Sequence, residues 1–327
     1  VGSEMCIRDS IQGVLFEGWN EGWENWGGSQ SFDFTKPYAD FDIAEIVRYA
    51  RERGIEIIGH HETGGNIPDY ERQLERAVKW YADLGIHNLK TGYAGGISGG
   101  NNHHGQYMVR HYQHVVETAA KYRMTVNAHE PIKDCGIRRT WPNMMSREGA
   151  RGKEWDAWSA GNPPSHEVTL PFTRLLAGPM DFTPGSMFSA QPEDNRSTGA
   201  NPMGTGTRAY QMALYVVFES PLQMLADNPV LYRREHPCTE FLAAVPTTWD
   251  SLRVLHAACG REVVVARRKG DKWYVGGITN DRPYTTEIAL DFLPAGRTFT
   301  MTSFEDGVNA DLQATDYRKR VREVDAS

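Results

Sequence analysis

The chain has 327 residues, with 35 Lys and Arg against 42 Asp and Glu for a formal charge of −7. A net-negative chain of this kind excludes a nucleic-acid surface and suits a small neutral or cationic ligand. No apolar run is long enough for a membrane span, and the length is ample for a large core in one or two domains.

VGSEMCIRDS, residues 1–10, resembles a translated sequencing-adaptor segment and joins abruptly to strand-like sequence, so it is set apart from the fold. On that reading the natural N-terminus is missing, and any localisation signal with it. VLFEGW (Val14 to Trp19) is the first strand. A helix opens at Asp42, where Asp42 and Glu45 make a D-x-x-E capping box; Ile43, Ile46, Val47 and Ala50 form its apolar stripe and Gly54 ends it. IEIIGHHET (Ile55 to Thr63) is the second strand. The next helix, over about 69–84, carries Tyr70, Leu74, Ala77, Val78 and Tyr81 on one face. HNLKTGY (His87 to Tyr93) is the third strand; a Gly/Asn-rich loop and a helix near 106–122 lead to MTVNAHEP (Met124 to Pro131). A long loop is expected over about 133–164, then a strand at GPMDFTPG (178–185), a polar loop, a helix around 207–218 and a strand at PLQMLAD (221–227). From about residue 250, EVVVARR, KWYVGGIT, TTEIALDFL and TFTMTSFED read as short alternating strands joined by polar turns such as KGD and NDRP.

Repeated strand–helix units mean a parallel sheet. No Gly-rich dinucleotide fingerprint follows any strand, which makes a doubly wound sheet the second choice. The expected class is α/β: a (β/α)8 TIM barrel over residues 11–249, incomplete because only six strands are present and the first two are missing. A C-terminal antiparallel β-sandwich domain is expected over 250–327.

Three of these strands end on an acid, Glu17, Glu62 and Glu130, the last two with His just before it. A (β/α)8 barrel keeps its active site at the C-terminal strand ends, where a held carboxylate can move protons or bind a cation. Strand alternation puts His60 and Glu62 on one face and leaves His61 to packing. Glu148 and Glu154 add two acids in SREGARGKEWDAW. So many carboxylates together require protons or a metal, and carboxylates without a Cys ligand suit calcium better than zinc. Cys6, Cys135, Cys238 and Cys259 show neither metal nor disulfide spacing. Nine Trp and fourteen Tyr, several beside the acidic motifs, suit sugar binding, because a pyranose face stacks on indole.

The ordered series EGWNEGWE, GHHET, LKTGY, NAHEP, EGARGKEW, DFTPG and VPTTWD is similar to glycoside hydrolase family 97 over about residues 11–320. The resemblance implies a calcium-dependent exo-acting α-glycosidase with an N-terminal β-sandwich, a catalytic barrel and a C-terminal β domain. It implies Glu154 as general acid, Glu62 and Glu130 as base glutamates, and Glu130, Glu148 and Glu154 as Ca2+ ligands. Sugar contacts map onto Glu17, His60, Lys90 and His129. Retaining members carry a nucleophilic Asp at the end of the strand that reads LKTGY here; this chain has Gly92, which points to the inverting α-glucosidase branch. Inversion requires an acid on one side of the sugar and a base-activated water on the other.

The expected substrate is an α-glucan or malto-oligosaccharide, and a periplasmic or secreted location follows from the resemblance. Without the sandwich and the first strands, this chain is expected to be poorly active, with an unpaired barrel edge. Three other readings stand beside it: a retaining α-galactosidase-type member of the same family, a metal-dependent sugar isomerase, and a glycan-binding protein without chemistry. Oligomeric state is open.

Overall fold

The computed structural model of the chain describes residues 3–4, 12–25, 32–199 and 202–326. They divide into two compact units, the first made of residues 1–150, 177–181 and 220–222 and the second of 151–176, 182–219 and 223–327.

The first unit holds one sheet. Its strands are β1 (Ser3–Glu4), β2 (Gly13–Phe16), β3 (Glu56–Glu62), β4 (Asn88–Gly92), β5 (Thr125–Ala128) and β6 (Met144–Arg147). They lie in chain order, with β2 to β6 parallel and β1 antiparallel to β2. The order never reverses, as it would in a doubly wound sheet. Helices α1 (Ile43–Arg51), α2 (Ile67–Leu84) and α3 (Gln106–Lys121) connect β2 through β5.

The helix signals hold with one difference. Asp42 caps α1 by accepting from the Glu45 N–H at 3.0 Å. The Glu45 carboxylate turns to Arg48, so the reciprocal half of the box gives way to an i,i+3 ion pair. Pro68 sits in the first turn of α2, and Gly85 closes it in the left-handed region at φ 83°, where a side chain is disfavoured.

Strand alternation divides the sheet into two faces. Ile57, Leu89, Val126 and Ala128 join the buried cluster formed by Val47, Leu74, Val78, Tyr81, Val115 and Ala119 of the helices. Their neighbours Ile58, His60, Glu62, Lys90, Gly92 and Asn127 lie on the opposite face. His61 is a core residue, as its alternation predicts. Its ring stacks on Tyr81 at 4.7 Å and its Nδ1 meets the Tyr70 hydroxyl at 2.9 Å.

Two expected strands are absent among the described residues. Within 178–185 only Met180 bridges to a strand, at Arg147, because Pro179 and Pro184 cannot donate to a ladder. Residues 221–227 run without ladder pairing. The strands missed in this sheet are β1, in the segment set apart from the fold, and β6, inside the expected 133–164 loop; the four β6 residues MMSR show neither a β-branched run nor alternation.

In the second unit come α4 (Pro164–Glu167), β7 (Ser189–Ala190), β8 (Gly204–Thr205), α5 (Arg208–Val217), α6 (Pro229–Arg234) and α7 (His236–Ala244). Next are β9 (Ser251–Ala258), β10 (Glu262–Lys269), β11 (Lys272–Thr279), β12 (Thr298–Asp306) and β13 (Tyr317–Asp325). Strands β11-β10-β9 make one antiparallel sheet and β12-β13 another. The KGD turn is a two-residue hairpin loop between paired Lys269 and Lys272, with Gly270 at φ 57°. Strands β9 and β13 went unrecognised. TTEIALDFL is no strand: it is tied to β9 through the His256 side chain, which meets Thr286 Oγ1 at 2.8 Å, rather than through a backbone ladder.

Gly59 lets α2 press on the sheet, since a Cβ there would lie 2.3 Å from the Tyr81 ring. The Tyr81 hydroxyl in turn accepts from the His60 N–H and donates to the His60 C=O, both at 3.1 Å. Gly59→Ala is expected to destabilise the unit by about 2 kcal/mol through overpacking. Gly96→Ala, with nothing within 4 Å, leaves the thermal midpoint unchanged; equal midpoints for the two variants would contradict this.

Candidate active site

The parallel register lines up the polar face of the first unit. His60 pairs with Lys90 and Lys90 with Asn127, while Glu62 pairs with Gly92. Glu17, His129 and Glu148 each follow directly on the end of a strand, and Glu130 comes one residue after His129. Seven of the eight expected site residues therefore come together here; the eighth, Glu154, belongs to the second unit, half-buried on the 3-10 turn Lys153–Ala157. That turn is anchored by fully buried Lys153, whose Nζ lies 2.6 Å from Glu167 and 3.1 Å from Asp156.

Two ion pairs organise the rim. Lys90 Nζ donates to Glu17 Oε1 at 2.8 Å, with His60 Nε2 3.9 Å from the same oxygen. Burial works to raise the Glu17 carboxyl, but Lys90 and then His60 outweigh it and hold it at about 2. Burial pushes His60 down to about 4, so its ring is neutral at ordinary pH and can exchange hydrogen bonds with a hydroxyl. His129 Nε2 meets Asp181 Oδ2 at 2.8 Å, and its Nδ1 lies 3.9 Å from Glu148 Oε1. Burial and Lys90 oppose its charge, yet Glu148 and Asp181 prevail and raise it to about 10.

Asp181 and Asn127, which donates to Asp181 Oδ2 at 2.5 Å, escaped the sequence reading. The signal was there for Asp181, an acid in the expected run GPMDFTPG comparable with the strand-end glutamates.

The remaining glutamates are held by backbone. Glu62 Oε1 accepts from Gly64 N at 2.8 Å and Ala94 N at 3.1 Å. Burial, reinforced by Glu130, raises its carboxyl to about 7. Glu130 Oε2 accepts from Tyr93 N at 2.8 Å, and the Glu130 N–H donates to Glu148 Oε2 at 3.1 Å. Glu130 and Glu148 carry oxygens of the hard type that calcium takes, and the Glu148 carboxylate also has His129 Nδ1 3.9 Å away.

Gly92 gives its neighbour room. A Cβ at this position would lie 2.0 Å from Glu62 Oε2 and 3.0 Å from its Cδ. A side chain at position 92 would require the Glu62 carboxylate to move from where it lies.

Comparison with known proteins decides the family. The model of glycoside hydrolase 97 matches residues 6–150, and that of the glycosyl-hydrolase 97 C-terminal, oligomerisation region matches 248–327. A retaining alpha-galactosidase from Bacteroides thetaiotaomicron is 36% identical over 300 residues, 90% of this chain and 43% of that protein. The chain belongs to glycoside hydrolase family 97. A family 97 enzyme from Pseudoalteromonas sp. strain K8, solved as a variant in complex with panose, is 41% identical with a TM-score of 0.88. It is matched over 97% of this chain and 51% of its own. The same enzyme in complex with acarbose is 42% identical with a TM-score of 0.87. The chain thus spans about half the length of these family 97 relatives. No described helix is long and apolar enough to cross a membrane.

A raised Glu62 carboxyl has a consequence for stability. An acid whose folded pKa rises from 4.5 to about 7 costs the native state nothing below 4.5 and most above 7, where the buried charge must form. In calcium-free buffer, Glu62→Gln should raise the thermal midpoint at pH 8 and leave it unchanged at pH 4. A loss of stability at pH 8 would mean that Glu62 is not under this strain.

Proposed function

We propose that this chain is the catalytic part of an inverting α-glucosidase, its parallel sheet the arc of a (β/α)8 barrel. The observation that carries the reading is that Glu62 Oε2 lies 2.0 Å from where a Cβ at position 92 would be. By the family resemblance, a retaining member needs an Asp there; this chain has a carboxylate from the neighbouring strand filling that space. The Pseudoalteromonas relative bound to panose and acarbose supports an α-glucoside substrate.

In this mechanism Glu62, poised near neutral pH, accepts a proton from water as the water oxygen bonds to the anomeric carbon. The bond from that carbon to the leaving-group oxygen breaks, and Glu154 gives that oxygen its proton. Glu130 is the second base glutamate of the resemblance. Lys90, Glu17 and neutral His60 offer donors and acceptors to sugar hydroxyls, with His129 as a fixed cation. By the resemblance, Glu130, Glu148 and Glu154 would hold calcium, which supplies fixed positive charge for orienting sugar oxygens.

The second reading is a retaining α-galactosidase, favoured by the names of the Bacteroides thetaiotaomicron relative and of a Streptomyces bingchenggensis relative, a probable retaining alpha-galactosidase 33% identical over 250 residues. It requires a nucleophile other than position 92.

With the N-terminal region of the resemblance supplied in cis, Glu154→Gln should cut turnover of maltose by about 10²–10⁴-fold, the range for a general acid. An aryl α-glucoside with a good leaving group should lose less, because it needs less protonation. Gly92→Ala should lower kcat by displacing Glu62. Full maltose turnover in Glu154→Gln would sink the acid assignment.

A further inference from the structure

Consecutive backbone N–H groups, from Tyr93 and Ala94 just past β4, hold Glu130 Oε2 at 2.8 Å and Glu62 Oε1 at 3.1 Å. Both base glutamates therefore depend on one short piece of chain, and its position is set from behind the sheet. The Tyr93 ring is fully buried, 4.7 Å from Tyr112 and edge-on to His111 at 5.4 Å. Its hydroxyl meets His111 Nε2 at 3.1 Å. The other ring nitrogen, Nδ1, faces the Glu71 carboxylate of α2. The second Glu71 oxygen meets His114 Nδ1 at 2.6 Å.

The chemistry of this row gives it a direction. An ionised carboxylate only accepts, so Nδ1 of His111 carries the proton facing Glu71. The opposite ring nitrogen, Nε2, exchanges a hydrogen bond with the Tyr93 hydroxyl at 3.1 Å. The next residue of α3, Tyr112, donates to the Glu130 carbonyl at 2.7 Å and the His129 carbonyl at 3.3 Å. Glu130 thus has its carbonyl held by Tyr112 and its carboxylate held by the Tyr93 N–H. It also sits at φ 38°, a left-handed conformation that a non-glycine residue keeps only where its surroundings enforce it.

We infer that Glu71, His111 and Tyr93 form a positioning relay that fixes the Tyr93–Ala94 N–H pair and, through it, the Glu62 and Glu130 carboxylates. The inference deepens the inverting-hydrolase reading and rests on it for its kinetic consequence. None of the three relay side chains is assigned contact with substrate; each acts on the next.

The test joins amide exchange to kinetics in His111→Phe and Tyr93→Phe. The relay predicts that exchange protection of the Tyr93 and Ala94 amides falls by about tenfold or more, while Ile58 and Leu89 in the sheet keep theirs. It also predicts that kcat on an α-glucoside drops by about 10–100-fold, the usual cost of removing an orienting partner, with KM nearly unchanged. Glu71→Gln, whose amide oxygen still accepts from Nδ1–H, should retain most of kcat. Unchanged protection of Tyr93 and Ala94 in folded Tyr93→Phe, which removes a single oxygen, would overturn the relay even if His111→Phe fails to fold. If the wild-type protein, with the N-terminal region of the resemblance supplied in cis, cleaves no α-glucoside, the α-glucosidase reading fails, and the exchange data still decide the relay.

Discussion

A carboxylate occupies the volume that a Cβ at position 92 would need. Parallel pairing of β3 with β4 sets Glu62 directly beside Gly92 on one face of the sheet, so the two positions compete for the same space. Glycine inside a strand costs backbone entropy and contributes no packing. Here it admits a neighbouring side chain to the end of β4, where Glu62 takes the Ala94 N–H. That approach buries the carboxylate near Glu130 and places its proton affinity near neutrality.

The site separates its carboxylates by the company they keep. Glu17 is paired with Lys90, and Asp181 with His129; each is held below its ordinary range by that partner against the effect of burial. Such groups stay charged and suit binding and orientation. Glu62 is held by peptide N–H groups and is raised instead. Groups whose environments drive their proton affinities apart divide fixed charge from proton transfer. The network behind the sheet supports the same division, since the N–H donors that hold Glu62 and Glu130 are themselves tied to α3 through Tyr93 and His111.

Much of the first unit could be read before the structure because its signals are local. Alternation in IEIIGHHE separated His60 and Glu62 from His61, and the helix stripes marked the faces that now cover the sheet. β6 could not be read, because MMSR becomes a strand only by pairing with β5. GPMDFTPG failed in the opposite sense: it is apolar enough for a strand, but its prolines leave little more than the bridge at Met180. In the second unit, TTEIALDFL has a strand's pattern without a strand's partner. The site glutamates were visible as strand endings, whereas Asp181 and the Tyr93 and Ala94 N–H groups acquire their roles only through contacts distant in sequence. That Glu62 fills the space beside Gly92 depends on register, which no single strand encodes.

The most direct test is the anomer first released from an α-glucoside, followed by proton NMR before mutarotation, with the N-terminal region implied by the resemblance supplied in cis. Water activated by a base glutamate attacks opposite the leaving group, so β-glucose is the expected first product. Initial α-glucose would require a covalent intermediate and a nucleophile elsewhere, and Glu62 beside Gly92 would then not be the base that activates water.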